Sequence, residues 1–379
     1  MAYIDKKYMQ RALKLAQRGL GSVEPNPMVG CVITKAGQII GTGWHKKFGE
    51  PHAEIVALDD CKSLGATPQG ATMYVTLEPC CHKGKTGPCT DAIIAAGVGK
   101  VFVATVDPSP HAGGKGIEKL RGAGIDVEVG LCRTEARLLN APFIKHAASG
   151  RCWTVLKWAQ SIDGRVAWAA SEGEQDRRWI SNELSRKDVH ALRRRVDAVL
   201  VGINTVLADD PLLTPRPARG KKPLRVVMDS SLRIPLGCRL LRTPKSGPVL
   251  IYASLAAIKE QAKKADRIRS KGADLVGYPA AEQSNLHLLI DELSRRGVTQ
   301  LLVEGGPTVL TSFLQEQLTD EICIYISPRI LGAQGGADTT SAMAQLKDLV
   351  ELEHVDVGVF DGDVRLTALT KRAAEEVLR

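Results

Sequence analysis

Apolar side chains at Ile4, Tyr8, Ala12, Leu15 and Ala16 recur at helical spacing and predict a helix over residues 5–18. Gly19, Gly21 and the Pro25-Asn26-Pro27 stretch end it. Two strands are predicted next, Met28–Thr34 and Gln38–Gly43, joined by a turn at Ala36-Gly37. A helix over 52–64 carries His52-Ala53-Glu54 at its start. The strand Ala71–Leu77 then runs into Glu78-Pro79-Cys80. Thr90–Ala96 reads as a helix, Val101–Val106 as a strand, Gly116–Ala123 as a helix and Asp126–Val129 as a short strand. Strands alternating with helices predict an α/β sandwich with helices on both faces of its sheet.

Residues 130–150 read as a bridge, with a seam at Ala147-Ala148-Ser149-Gly150. The alternation then restarts. Strands are predicted at 153–159, 197–201, 224–228, 248–252, 299–303 and 320–326, and helices at about 182–195, 283–296 and 307–316. The Pro-rich stretch 211–223 reads as a surface loop. No internal repeat or low-complexity tract occurs. The expectation is two α/β domains, residues 1–147 and 151–379, which suits a chain of 379 residues.

Composition narrows the partners. Hydrophobic residues make up 44% and charged residues 25%, an ordinary globular balance. No apolar run is long enough to span a membrane, and the start, Met1 to Lys7, lacks the apolar core of a signal peptide. A cytoplasmic location and no membrane partner are the expectations. The net charge of +9 is spread along the chain, and the densest basic runs, Arg193-Arg194-Arg195 and Lys221-Lys222, are short. With only five Phe and six Tyr to stack on bases, a solvated surface accounts for this charge better than a nucleic-acid partner, and such a field also attracts a small phosphorylated substrate. The nine cysteines are an odd number scattered over a long chain, so they read as reduced; only Cys80, Cys81 and Cys89 cluster.

That cluster and the His52/Glu54 pair suggest chemistry. A hydrolytic deaminase attacks a carbon bearing an exocyclic amine, and zinc makes water a competent nucleophile at neutral pH. A catalytic zinc takes three protein ligands and keeps one position open. His52, Cys80 and Cys89 are the candidate ligands, and Glu54 is the candidate proton shuttle. Zinc deaminases carry His-x-Glu followed by Pro-Cys-x-x-Cys, whereas here eight residues separate Cys80 from Cys89. A structural zinc site is the competing reading; it needs a fourth ligand, which Cys81 or His82 could supply.

Pro25-Asn26-Pro27-Met28-Val29-Gly30, Gly43-Trp44-His45, His52-Ala53-Glu54, Thr76-Leu77-Glu78-Pro79-Cys80 and Gly87-Pro88-Cys89 together resemble the bifunctional riboflavin-biosynthesis deaminase/reductase family. In that family the longer Cys-to-Cys loop is normal. The resemblance extends over Lys157–Gly164, Gly202–Arg216 and Glu304–Thr308, and so over nearly the whole chain. It implies a cytidine-deaminase-like three-layer αβα domain followed by a dihydrofolate-reductase-like α/β domain. It also implies zinc and NADPH as cofactors, and a substrate deaminated at the 2-amino group of 2,5-diamino-6-ribosylamino-pyrimidinone 5′-phosphate before its ribosyl group is reduced to ribityl.

By the same resemblance Asn26, His45 and Lys85 contact the deaminase substrate. Trp179, Thr205, Asp209, Ser230, Gly306, Pro307 and Thr308 contact NADPH. Lys157, Arg193, Leu213, Arg216 and Glu304 contact the reductase substrate, with Arg193 and Arg216 suited to hold its phosphate. Gly305 and Gly306 before a helix leave backbone N–H groups for a phosphate. No Gly-x-Gly-x-x-Gly follows a strand, so a Rossmann cofactor site is not indicated. Association through the reductase half is a further implication. One departure stands out: residues 167–178 are longer than the family pattern and place Arg177 two positions before Trp179. The alternative reading is a zinc deaminase of another nucleotide or of tRNA joined to an inactive or unrelated second domain.

Overall fold

The computed structural model describes residues 2–82, 87–109, 112–168, 179–217, 221–279, 285–339 and 343–379. The chain divides into two compact units, Met1–Gly150 with Val377–Arg379, and Arg151–Glu376. The second unit therefore stops three residues short of the expected 379. Val377 O accepts a hydrogen bond from Arg137 Nε, and Arg379 O accepts one from Arg133 Nη2 at 2.6 Å.

In the first unit, α1 (Ala2–Ala16) precedes the hairpin β1 (Gly30–Lys35) and β2 (Gln38–Trp44). Then follow α2 (Ala53–Ser63), β3 (Thr72–Val75), α3 (Cys89–Ala95), β4 (Lys100–Val103), α4 (Lys115–Gly122) and β5 (Asp126–Val129). The sheet order is β2-β1-β3-β4-β5, with β1 antiparallel to β2 and β3, and β3, β4 and β5 parallel. Alternate strand residues serve opposite faces. Cys31, Ile33, Met73, Val75, Val101 and Val103 pack with Ala53, Ala57 and Leu58 of α2, Ile93 of α3, and Ile117 and Leu120 of α4. Val32, Tyr74 and Phe102 face the other way, onto Met9, Ala12, Leu13 and Leu15 of α1.

Two glycines let helices approach the hairpin closely. A Cβ on Gly30 would lie 2.0 Å from Ala12 O, and one on Gly43 would lie 2.2 Å from Ala53 O and 2.5 Å from Ala57 N. Only a residue without a side chain permits contact of backbone with helix at these points.

The stretch 130–150, expected as a bridge, instead forms α5 (Arg133–Leu139) and α6 (Ala141–Ser149). Each is short, and α5 buries only Ala136, so the hydrophobic period is too brief to read as a helix.

The second unit holds nine described strands. They are β6 (Trp153–Ser161), β7 (Ala198–Gly202), β8 (Leu224–Met228), β9 (Val249–Ser254), β10 (Asp274–Tyr278), β11 (Gln300–Val303), β12 (Glu321–Ser327), β13 (Leu352–Phe360) and β14 (Asp363–Thr370). The connecting helices are α7 (Glu183–Arg195), α8 (Ile203–Asp209), α9 (Arg239–Arg242), α10 (Leu255–Glu260), α11 (Ala262–Ser270), α12 (Asn285–Arg295) and α13 (Pro307–Gln315). The last helix, α14 (Lys371–Leu378), ends in residues that group with the first unit. The order is β10-β9-β8-β7-β11-β6-β12-β14-β13. The seven strands from β10 to β12 are parallel, and β14 and β13 add an antiparallel edge. Central strands read as continuous apolar runs because both faces are covered; β7 is Ala198-Val199-Leu200-Val201 and all four are buried.

Helices α8, α9, α10 and α11, strand β10, and everything after residue 327 lack a predicted counterpart. β13 lies on the sheet edge and is largely exposed, with Val355, Val357 and Val359 at 56%, 58% and 73% exposure.

Candidate active sites

The first site sits where α2, the end of β3 and α3 converge. His52 is the N-cap of α2 and Cys89 is the first residue of α3. Their ligand atoms and Cys80 Sγ all lie within 4.8 Å of one another. His52 Nδ1 is 3.6 Å from Cys80 Sγ and 3.3 Å from Cys89 Sγ, and Cys89 N donates to Cys80 Sγ at 3.4 Å. Tetrahedral zinc with Zn–S near 2.3 Å and Zn–N near 2.1 Å separates its N and S ligands by about 3.6 Å. One nitrogen and two sulfurs at this spacing therefore fit zinc with a fourth position left over. Among the described residues the metal-binding group contains neither Cys81 nor His82, so the geometry lacks the fourth ligand of a structural site.

Hydrogen bonding to Cys89 and His52 lowers the pKa of Cys80, while the contact with Cys80 and burial raise that of Cys89; zinc, when bound, takes both sulfurs as thiolates. Glu54 is 3% exposed, and burial pushes its carboxyl up to about 7, a value suited to taking and returning a proton near neutrality.

The His45 ring lies edge-on to that of His52, with centroids 5.4 Å apart. Its Nδ1 lies 3.2 Å from Pro51 O, which can only accept, so Nδ1 carries the hydrogen. Burial lowers the His45 pKa and favours the neutral ring. Nε2 then accepts from Asn26 Nδ2 at 3.3 Å, which brings together two side chains 19 residues apart in the sequence. Lys85 lies outside the described residues.

Glu78, part of the quoted motif but given no role, proves to be an anchor. Its buried carboxylate accepts from the backbone N–H groups of Asp107, Gly114, Gly116 and Ile117 at 2.8–3.2 Å. Asp107 and the start of α4 are thereby tied to the chain just before Cys80. Nothing local in the sequence marks this contact, because the partners are backbone groups 29–39 residues away.

The second site lies beyond the carboxyl ends of neighbouring strands, where ligands of open α/β sheets bind. Thr205 and Asp209 are on α8, directly after β7; Ser230 follows β8; Glu304 to Thr308 follow β11. β8, β7 and β11 are adjacent, so these segments share one end of the sheet. Gly306 caps α13, and a Cβ there would meet nothing within 4 Å, so its surroundings are open. Trp179 is 52% exposed with the Arg186 guanidinium 5.3 Å from its ring centre.

Arg193 is held by other parts of the second unit. Its Nε and Nη2 donate to Glu304 Oε1 and Oε2 at 2.6 and 2.7 Å, and Nη1 donates to Thr214 O at 3.2 Å. Its Nε–Nη2 edge is thus taken by a carboxylate, and two of its five N–H groups remain. Arg216 is exposed, and its carbonyl accepts from Arg194 Nη1 at 3.3 Å. Leu213 is buried at 2% exposure with a left-handed backbone (φ 55°). Lys157 on β6 is half-buried, and its desolvation lowers its pKa while the Glu304 carboxylate opposes that shift. Its ammonium lies 5.6 Å from the centre of the Tyr325 ring. The Tyr325 hydroxyl donates to Asp188 Oδ2 at 2.6 Å, and Arg365 Nη1 donates to the same oxygen at 2.8 Å. The sequence reading names neither Asp188 nor Arg365, since each is an ordinary charged residue until the sheet brings them together. Of the unusual segment 167–178, residues 169–178, with Arg177, lie outside the described residues.

Comparison with known proteins separates the two halves in the same way. Residues 2–105 match the cytidine and deoxycytidylate deaminase zinc-binding region, and residues 152–366 match the RibD C-terminal domain. The riboflavin biosynthesis protein RibD of Aquifex aeolicus is 45% identical over 331 residues, covering 87% of this chain and 88% of that one. Its Escherichia coli counterpart is 38% identical over 377 residues, covering 96% and 98%. Among solved structures, Acinetobacter baumannii RibD superposes with a TM-score of 0.80 at 38% identity, covering 98% of this chain and all of that one. The Thermotoga maritima diaminohydroxyphosphoribosylaminopyrimidine deaminase/5-amino-6-(5-phosphoribosylamino)uracil reductase gives 0.80 at 33%, covering 97% and 99%. A cytidine-deaminase-like zinc-binding domain followed by an NADPH-dependent reductase domain is the arrangement these matches share. The chain belongs to the RibD family of bifunctional riboflavin-biosynthesis deaminase/reductases.

Proposed function

We propose that the first unit deaminates 2,5-diamino-6-ribosylamino-pyrimidinone 5′-phosphate at its 2-amino group and that the second reduces the ribosyl group of the product to ribityl. The observation that carries this reading is the convergence of His52 Nδ1, Cys80 Sγ and Cys89 Sγ beside the buried Glu54 carboxyl. Zinc, when bound, acidifies a water and polarises it for attack on the amine-bearing carbon. His52, Cys80 and Cys89 hold the metal. Glu54 accepts the proton of the attacking water, passes it to the ring nitrogen and then assists departure of ammonia. The amide of Asn26 and the ring of His45 orient the pyrimidine, and Lys85 meets the ribosyl phosphate.

NADPH, when bound, supplies the hydride for the second reaction. Trp179, Thr205, Asp209, Ser230 and Gly306 to Thr308 form its cradle, supported by their shared position at one end of the sheet. Lys157, Leu213, Arg216 and Glu304 face the substrate, and Arg193 holds the Glu304 carboxylate in place. The enzyme works in the cytoplasm and associates as a homo-oligomer through the reductase unit; the exposed valines of edge strand β13 support that surface. Among the described residues no helix is long and apolar enough to cross a membrane.

Purified protein given the diaminopyrimidinone ribosyl phosphate, with ammonia release and NADPH oxidation followed separately, tests the reading. Both signals in sequence support it. Ammonia without NADPH oxidation removes the second half, and the absence of ammonia with zinc bound removes the first.

A further inference from the structure

Residues 25–28 carry the pocket side chain Asn26 on a backbone with few anchors. Pro25 and Pro27 have no N–H, so only Asn26 and Met28 can donate. Asn26 N donates to Val23 O at 2.9 Å, a local turn contact. Met28 N instead donates to Asn140 Oδ1 at 2.8 Å, and Asn140 Nδ2 returns a bond to Met28 O at 2.9 Å, across 112 residues. Asn140 is 2% exposed and lies where α5 ends and α6 begins. Both backbone groups of Met28 are thus satisfied by one carboxamide. Only a side chain with a donor and an acceptor can make this pair, so the partners fix the orientation of the amide. His45 N holds Val29 O at 2.9 Å from the other side.

We propose that Asn140 is a positioning residue of the deaminase. It fixes the loop that sets Asn26 against His45, and through it the fit of the pyrimidine. The inference rests on the reading above, in which Asn26 and His45 contact substrate. It also gives a role to the α5–α6 pair, which lies outside residues 2–105 matched by the deaminase zinc-binding region.

The variants N140D, N26A and N140D/N26A test it, each assayed for ammonia release, zinc content and reduction of pre-deaminated substrate. N140D keeps size and the acceptor but turns the donor into a second acceptor facing Met28 O. Losing such a buried bond costs about tenfold, and that loss is expected in deaminase KM, with kcat, zinc content and the reductase rate within about twofold. The double variant is expected to be little worse than the more impaired single variant, because Asn140 acts through Asn26. An unchanged KM in N140D with a raised KM in N26A overturns this proposal and leaves the pocket reading standing. An unchanged KM in N26A overturns the pocket reading, and this inference with it. Equal losses of zinc, kcat and reductase rate in N140D overturn the positioning role in favour of a general structural one. If N140D fails to fold, N140A, which removes both bonds to Met28 without adding a charge, carries the same comparison.

Discussion

The guanidinium of Arg193 and the carboxylate of Glu304, 111 residues apart, form a two-pronged ion pair that ties α7 to the carboxyl end of β11. The two side chains are only 15% and 11% exposed, so each depends on the other for its charge. Removing one partner of a buried pair typically costs about 3–5 kcal/mol, whereas replacing both with apolar groups is far less harmful. Arg193→Met is therefore expected to lower the unfolding temperature of the reductase unit and abolish NADPH oxidation. Arg193→Met combined with Glu304→Leu should regain most of the stability and none of the reduction. Calorimetry and the two assays separate these outcomes; equal stability of the single and double variants would refute the pairing argument.

Glu54 is expected to matter for one reaction alone. Glu54→Gln keeps the shape and removes the proton acceptor, so ammonia release should fall by roughly 10²–10⁴-fold. Reduction of pre-deaminated substrate should be unchanged, as should zinc content, because Glu54 is not in the ligand set. Zinc lost along with activity would show that the carboxyl acts on the metal site instead.

Metal removal should divide the enzyme in the same place. Dialysis against a chelator is expected to stop ammonia release, and added Zn²⁺ to restore it, with NADPH oxidation on pre-deaminated substrate unaffected. Cys89→Ser should reproduce the chelated behaviour without recovery at the same Zn²⁺ concentration. Full ammonia release from demonstrably metal-free protein would count against the zinc assignment.

Acid should weaken the second unit through His190. Burial, reinforced by Arg193 and Arg216, lowers its pKa to about 4, and among the described residues its buried Nδ1 has no hydrogen-bond partner. An unfolded histidine binds its proton near pH 6.5. Between pH 6.5 and 4 the unfolded chain thus binds a proton that the folded one refuses, so stability falls as pH drops through that window. His190→Gln is expected to flatten the decline in unfolding temperature between pH 7 and 5; a slope identical to that of the unsubstituted protein would rule His190 out as the source.

The zinc triad is readable in the chain because its ligands occupy local landmarks: a helix start at His52, a strand end before Cys80 and a second helix start at Cys89. The paired role of Asn26 and His45 is readable only through resemblance, since a turn asparagine and a strand-end histidine are unremarkable alone. Most strands of both sheets show through hydrophobic runs, while β10, the β13–β14 edge, α5, α6 and α8 to α11 do not. Short helices carry too few turns to establish a period, and β13 is exposed on an edge where apolar and polar residues are both tolerated. The contacts of Glu78, Asn140, Asp188 and Arg193 are illegible for a different reason: each pairs with groups tens to hundreds of residues away. Side-chain type states what a residue can bond, and only the fold states with what.

Gly43 takes no part in either reaction, yet α2 rests on it, and α2 begins directly after His52 and carries Glu54 in its first turn. A single added methyl group meets backbone atoms of Ala53, Val56 and Ala57, none of which can swing aside. The helix must lift, taking a metal ligand and the proton shuttle with it. A saturation library scored on ammonia release would accordingly rank this bystander beside the chemical groups themselves, and the penalty would grow with side-chain volume while remaining indifferent to charge.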